Sequence, residues 1–345
     1  MRRLTRIGGV ALVAAATLAT AAPAAPGPRG DVYAYLTTLG LVVRAGNQQI
    51  GQADGFFEDA TLRWTNNGRF AMAVSRIPGD HETGTIVAVD ATTGRTVSIR
   101  CECWDVLPIG ADAAVMKVTG WGRLETLHDL AAPSPTWHEI PQPGKIPDDL
   151  WRWDLAGSEN GRAYLTVTPP RGDPGLFVTD GSTEPVPIGV IDGERLKLAA
   201  PAAGAAGQHL ALISRATSCN TQDRVLFPLL EQRKIGVSRF GEPRLEAEHR
   251  LRVQDSWWGT DGRLYATAAA WACAGDEATQ QVIPPTVWRF EDQRWQPTDD
   301  TGILSARDLP SGDQLVIRAD RRLVRRDASA SVPVADDVAQ IAVRP

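Results

Sequence analysis

Among the pairs of adjacent acidic residues, four stand just ahead of an apolar, alternating run: Glu58-Asp59, Asp148-Asp149, Asp299-Asp300 and Asp336-Asp337. Five tryptophans, Trp64, Trp151, Trp153, Trp257 and Trp258, lie in or beside such runs, with Arg63 and Arg152 as direct neighbours of three of them. Carboxylates gathered at one mouth would focus a negative field on a cationic ligand or on Ca2+. Two of them within roughly 5–10 Å would suffice for glycoside cleavage. Indoles at the same mouth would stack on sugar faces or clasp a cationic group. Each residue type also has a structural use. Asp side chains bond nearby amides in turns, and a large ring fills the wedge between radially packed sheets. Alternation puts Trp151 and Trp153 on one face of a strand and Arg152 on the other.

Other chemistry is thinly represented. The chain holds no Gly-x-Ser-x-Gly elbow and no His-Glu-x-x-His, so neither an α/β-hydrolase nucleophile nor a zincin site is expected. The histidines, His81, His128, His138, His209 and His249, are scattered without metal-ligand spacing. Gly204 to Gly207 lacks the Lys and Ser/Thr of a phosphate loop. Four cysteines, Cys101, Cys103, Cys219 and Cys273, allow three pairings. One residue between Cys101 and Cys103 is too few for the usual zinc knuckle. Cys219 and Cys273 each follow the second strand of successive units, so the favoured bridges are Cys219–Cys273 and Cys101–Cys103.

The elements that must position these groups are short strands. Phe70 to Val74, Thr85 to Val89 and Thr96 to Ile99 alternate around turns, as do Ala163 to Thr168, Gly175 to Thr179 and Pro185 to Ile188. A third series comprises Leu264 to Ala269, Val287 to Phe290 and Trp295 to Pro297. A turn element recurs before each series: Trp64-Thr-Asn-Asn-Gly-Arg69, Gly157-Ser-Glu-Asn-Gly-Arg162 and Trp258-Gly-Thr-Asp-Gly-Arg263. Glycine there admits the positive φ of a tight turn. The glycines are 93 and 101 residues apart, two units of about 45–50 each time, a propeller-blade period. The expected fold is an all-β propeller of about seven four-stranded blades.

The ends complement each other. Asp31 to Leu36 and Gly40 to Arg44 read as strands lacking a partner, and Asp337 to Val343 reads as a first strand with nothing after it. Pairing the C-terminal strand with the N-terminal ones would close the ring and remove an open sheet edge.

The Trp-x-x-(Asn/Asp)-Gly-Arg element resembles the Trp-Ser-Pro-Asp-Gly repeat of TolB-type, WD40-like propellers. No copy here has the Pro, and one of the three lacks the Trp. The resemblance implies a propeller and a habit of binding partners. It carries no catalytic residue.

Composition narrows the partners. With 36 basic against 41 acidic residues the net charge is −5, which gives no footprint for nucleic acid. Residues 1–24 read as a secretory signal: Arg2, Arg3 and Arg6, an uncharged apolar stretch to Ala22, and the small-residue pattern Ala22-Pro23-Ala24. Removing it leaves 33 basic residues against 41 acidic, or −8. No later stretch is long and apolar enough to span a bilayer. The expectation is a single propeller over residues 25–345, exported, monomeric, secreted or associated with the cell envelope. It would bind a protein or carbohydrate partner through the loop-rich face, with no cofactor beyond a conceivable Ca2+. The alternative is a glycan-active hydrolase or lyase with carboxylates at the channel mouth.

Overall fold

The computed structural model describes residues 30–345 except 59, 78–82, 120–121, 142–151, 160, 169–174, 191–195, 275–276 and 293. Between 199 and 249 it describes only 210–213, 225–226, 229–231 and 234–236. Every regular element among these residues is a strand. In chain order they are β1 (Val32–Thr37), β2 (Gly40–Ala45) and β3 (Gln48–Asp54). Then come β4 (Arg63–Trp64), β5 (Phe70–Arg76), β6 (Gly84–Asp90) and β7 (Thr96–Cys101). The next group is β8 (Val106–Ile109), β9 (Ala114–Val118), β10 (Leu124–Leu127) and β11 (His138–Glu139). It is followed by β12 (Arg152–Glu159), β13 (Arg162–Thr168), β14 (Gly175–Thr179) and β15 (Val186–Val190). Shorter strands are β16 (Leu196–Leu198), β17 (Leu210–Ile213), β18 (Val225–Leu226), β19 (Leu229–Glu231) and β20 (Lys234–Gly236). The last groups are β21 (Arg250–Trp258), β22 (Leu264–Ala274), β23 (Glu277–Glu291) and β24 (Arg294–Thr301), then β25 (Ile303–Asp308), β26 (Gln314–Arg318), β27 (Leu323–Arg326), β28 (Ser331–Ala335) and β29 (Val338–Val343).

Six antiparallel four-stranded meanders result, in the orders β29-β1-β2-β3, β4 to β7, β8 to β11, β12 to β15, β21 to β24 and β25 to β28. A three-stranded sheet, β16-β17-β18, and the pair β19-β20 occupy the chain where one further meander is expected. The first strands of successive sheets lie side by side: β29 by β4, β4 by β8, β8 by β12, β12 by β16, β21 by β25 and β25 by β29. That order is a propeller of six to seven blades. The stretch joining β18 to β21 lies largely outside the described residues.

Burial explains the architecture. Along β5, Phe70, Met72 and Val74 enter the core shared with the β8–β11 sheet, while Ala71 and Ala73 enter the core shared with β1–β3. In β1, Val32, Ala34 and Leu36 face the second sheet and Tyr33 and Tyr35 face the β25–β28 sheet. A strand apolar on both faces cannot present one to water, so the first and second sheets are each sandwiched between two others.

The recurring turn does what its residues suggest. Gly68, Gly161 and Gly262 have φ of 64°, 77° and 73°. Asn67 Oδ1 accepts the Arg69 amide (3.0 Å) and Asp261 Oδ1 that of Arg263 (3.0 Å). Each arginine then reaches a carboxylate at the end of the third strand, Arg69 to Asp90 (3.0 Å) and Arg263 to Glu291 (3.0 Å).

The two ends of the chain pair as strands. β1 aligns antiparallel with β29, Tyr33 opposite Val343 and Tyr35 opposite Ile341. Gln340 on β29 accepts from the Leu62 amide (2.9 Å) and donates to the Ala60 carbonyl, and Trp64 Nε1 donates to Ala342 O (3.2 Å). On the other side, Asp31 accepts from the Ser311 amide (2.9 Å) and from Arg325 (2.7 Å). The Sγ atoms of Cys101, at the end of β7, and Cys103, just before β8, stand 2.01 Å apart. Cys219 lies outside the described residues, and with it the Cys219–Cys273 pairing; Cys273 is on β22.

Ile341 is 4% exposed in the core between the first and last sheets. Ile341→Ala is expected to cost about 2–5 kcal/mol in urea unfolding. Val332→Ala, on the exposed outer strand β28, should stay within about 0.5 kcal/mol.

Candidate functional site

The inner strands carry charges, and those charges are engaged with one another. Asp255 on β21 accepts from both terminal nitrogens of Arg307 on β25 (2.7 and 3.3 Å), from Ser305 Oγ (2.5 Å) and from the Ser256 amide (2.8 Å). Both charged side chains are mostly buried. Arg63 on β4 pairs in the same way with Asp105, just ahead of β8. These bonds join neighbouring sheets at the inner strands and leave the carboxylates occupied.

Of the acidic pairs, the described members are Glu58, Asp299, Asp300, Asp336 and Asp337. Asp336 and Asp337 fill the connection between β28 and β29, and Glu58 lies in the connection between β3 and β4, both routes into an inner strand. Asp337 takes Arg321 Nε (3.2 Å) and Thr38 Oγ1 (3.2 Å). Asp299 and Asp300 stand near the end of β24, the outermost strand of its sheet, just ahead of the inner strand β25. Asp300 is clamped by Arg326 at 2.6 and 2.9 Å. Asp59, Asp148, Asp149 and Trp151 lie outside the described residues, and only the backbone of Arg152 is described. Among the described residues, no group of three or more His, Cys, Asp or Glu is arranged to hold a metal ion.

The tryptophans are mainly core. Trp64 is buried between the first and second sheets. Trp153 is buried between the third and fourth, edge-on to Phe177 at 5.2 Å. Trp257 is 1% exposed between the β21–β24 and β25–β28 sheets, stacked on Tyr265 at 5.6 Å. Trp258 is half-buried against the core of its own sheet. Radially arranged sheets diverge outward, and large rings fill that wedge, which removes Trp64, Trp153 and Trp257 from the reach of a ligand.

The apolar groups that do face water lie elsewhere. Five large hydrophobic side chains are exposed among the described residues, and three of them, Leu39 (68%), Ile77 (68%) and Trp104 (45%), share one arc. Antiparallel order puts the second-to-third turns and the sheet-to-sheet connections at one end of the propeller, and the arc runs along that end. Gly55 N donates to Leu39 O (3.1 Å), Phe57 N to Thr38 O (2.9 Å) and Arg76 N to Phe56 O (3.0 Å). Phe56 N also donates to Ser75 Oγ (3.0 Å). The Arg76 guanidinium lies 5.4 Å from the centre of the Trp104 ring. These contacts join the turn at Leu39 to the connection at Phe56, that connection to the end of β5 beside Ile77, and the Arg76 side chain to Trp104. Sequence reading passed over them because single exposed apolar residues in turns carry no pattern. Only the Cys101-Glu-Cys103-Trp104 cluster hinted at a fixed loop.

One carboxyl is chemically distinct. Glu159, at the end of β12, is half-buried, and burial raises its pKa to about 7. In the unfolded chain it loses its proton near the ordinary glutamate value, about 4.3. The folded state therefore binds the extra proton between these values, and stability must fall as pH rises through that window. Glu159→Gln is expected to flatten this decline in thermal midpoint between about pH 5 and pH 7. Asp255→Ala leaves Arg307 buried without its carboxylate and should cost about 3–5 kcal/mol by denaturant titration.

No family model matches this chain, and no curated protein sequence matches it. Solved structures with a similar course include AztD from Citrobacter koseri, at 10% identity over 91% of this chain and 98% of that one (TM-score 0.48). The β-propeller domain of the Trilobed protease from Pyrococcus furiosus is 12% identical over 88% and 98% (TM-score 0.49). The C-terminal WD40 domain of Sif2 is 11% identical over 87% and 76% (TM-score 0.45). These likenesses concern the course of the chain alone; the propeller rests on the strand orders described above.

Proposed function

We propose that this chain is an exported, monomeric binding module, one propeller over residues 25–345, that takes a protein partner on its loop-rich end. The observation that carries this reading is the arc of Leu39, Phe56, Ile77 and Trp104. Isolated exposed apolar residues are ordinary, but a contiguous set rimmed by charge marks an interaction surface. Burying Trp104 with the Arg76 guanidinium already over its ring is how aromatic and arginine residues anchor an interface. In the proposed module Cys101 and Cys103 are oxidised to a bridge. Such a short loop contributes little chain entropy. Its use is local: it sets the course of the chain into Trp104 and Asp105, and Asp105 is locked in turn by Arg63. The leader-like residues 1–24 support export, and the acidic balance argues against nucleic acid. Glycan cleavage would need two available carboxylates, and among the acidic pairs Asp300 and Asp337 are already paired with Arg326 and Arg321.

The test compares the wild type with Leu39→Asp/Ile77→Asp and with Arg76→Ala/Trp104→Ala as immobilised baits against an envelope and culture-fluid extract. A partner retained by the wild type should drop at least tenfold on both variants, with thermal midpoints unchanged. Identical retention on all three baits would move the interface away from this arc.

A further inference from the structure

The outer strands of the third sheet bring together two exposed imidazoles that are ten residues apart in sequence. The ring centroids of His128 and His138 are 5.1 Å apart and their planes are tilted by 53°. His138 is opposite Thr126 in the β10–β11 register. His128 stands just past the end of β10, two residues beyond Thr126, and the ring contact sets it beside His138 at the sheet edge. The backbone beneath them is tied down. Ile140 N donates to Leu124 O (2.8 Å), Leu130 N to Ala113 O (3.1 Å) and Thr126 Oγ1 to His138 O (3.4 Å). The turn at Gly181 of the neighbouring sheet presses on Thr126, where an added Cβ would lie 3.1 Å from its methyl carbon.

We infer that His128 and His138 form a two-histidine chelate for a divalent transition-metal ion, with Zn2+ the fitting occupant. A zinc–nitrogen bond of about 2.0–2.1 Å puts each imidazole centre roughly 3.2 Å from the ion. Two centres 5.1 Å apart then subtend about 106° at the ion, close to the tetrahedral angle that zinc adopts. In the proposed chelate each ring turns about its χ2 axis to aim one nitrogen at the shared point. Of the two carboxylates adjacent in sequence, Asp129 is turned back on the Ala131 amide (2.8 Å) and Glu139 lies 3.9 Å from Arg123, and no third metal-ligating side chain completes a cluster among the described residues. The ion therefore keeps open positions for water or for a group from an incoming molecule. Ligands of this softness and number bind Cu2+ more tightly than Zn2+, so copper should displace zinc from the pair.

The test titrates the full chain with zinc chloride by calorimetry, alongside His128→Ala, His138→Ala and the double variant. The wild type should take up one more equivalent of zinc than the double variant, with each single change weakening that equivalent at least tenfold. His249→Ala should leave it untouched. Both rings are exposed, so the thermal midpoints of the variants should match the wild type and separate loss of binding from loss of fold. Electron paramagnetic resonance of the Cu2+ form should show coupling to two imidazole nitrogens in the wild type and to fewer in each single variant. Equal zinc uptake by the wild type and the double variant, or none by either at millimolar zinc, would overturn the site.

Discussion

Strand β29 belongs to two neighbourhoods at once. It hydrogen-bonds to β1 and completes the first sheet, and its side chains meet the β25–β28 sheet on one side and the start of β4 on the other. Without it, β1 would be an open edge with both apolar faces committed elsewhere. An exposed edge of that kind invites pairing with another chain. The contact is also the most non-local in the molecule, since residues 33 and 343 become cross-strand partners. The entropy of bringing such distant segments together must be met before the pairing contributes anything. The flanking polar contacts, Asp31 with Ser311 and Arg325, and Gln340 with Leu62 and Ala60, fasten the same junction from both sides.

Electrostatics in this fold acts mostly as fastening. Asp255 with Arg307 and Arg63 with Asp105 join neighbouring inner strands, and Asp300 with Arg326 joins neighbouring outer ones. A carboxylate already matched to a guanidinium and an amide has little left to offer a cation or a glycosidic oxygen. Among the described residues, the surface outside this pairing includes the exposed Leu39, Ile77 and Trp104 and the imidazoles of His128 and His138.

Much of the architecture was legible in the residues. The Asn/Asp-Gly-Arg element works through local chemistry: a side-chain oxygen caps an amide, a glycine takes positive φ, and an arginine reaches across the hairpin. All of that happens within about 30 residues, so spacing alone exposes it. The missing first strand at one end and the surplus one at the other were equally plain. The tryptophans show the limit. Trp64, Trp153 and Trp257 were rightly set on or beside inner strands, but their type suits a binding cleft and a core wedge equally well. Asp299 and Asp300 looked like a turn because aspartates favour turns, whereas both extend β24, with the distant Arg326 on Asp300.

The amino-acid order by itself determined the strand period, the turn chemistry and the need for the two ends to meet, because alternation and positive-φ glycines act between near neighbours. Only the tertiary structure decided which side chains face water and which distant ones meet. His128 and His138, Arg76 and Trp104, and Asp255 and Arg307 come together through strand register and sheet packing. The reason is physical: burial and through-space distance depend on what packs on each side of a strand, and a pattern along one strand does not say which neighbour that will be.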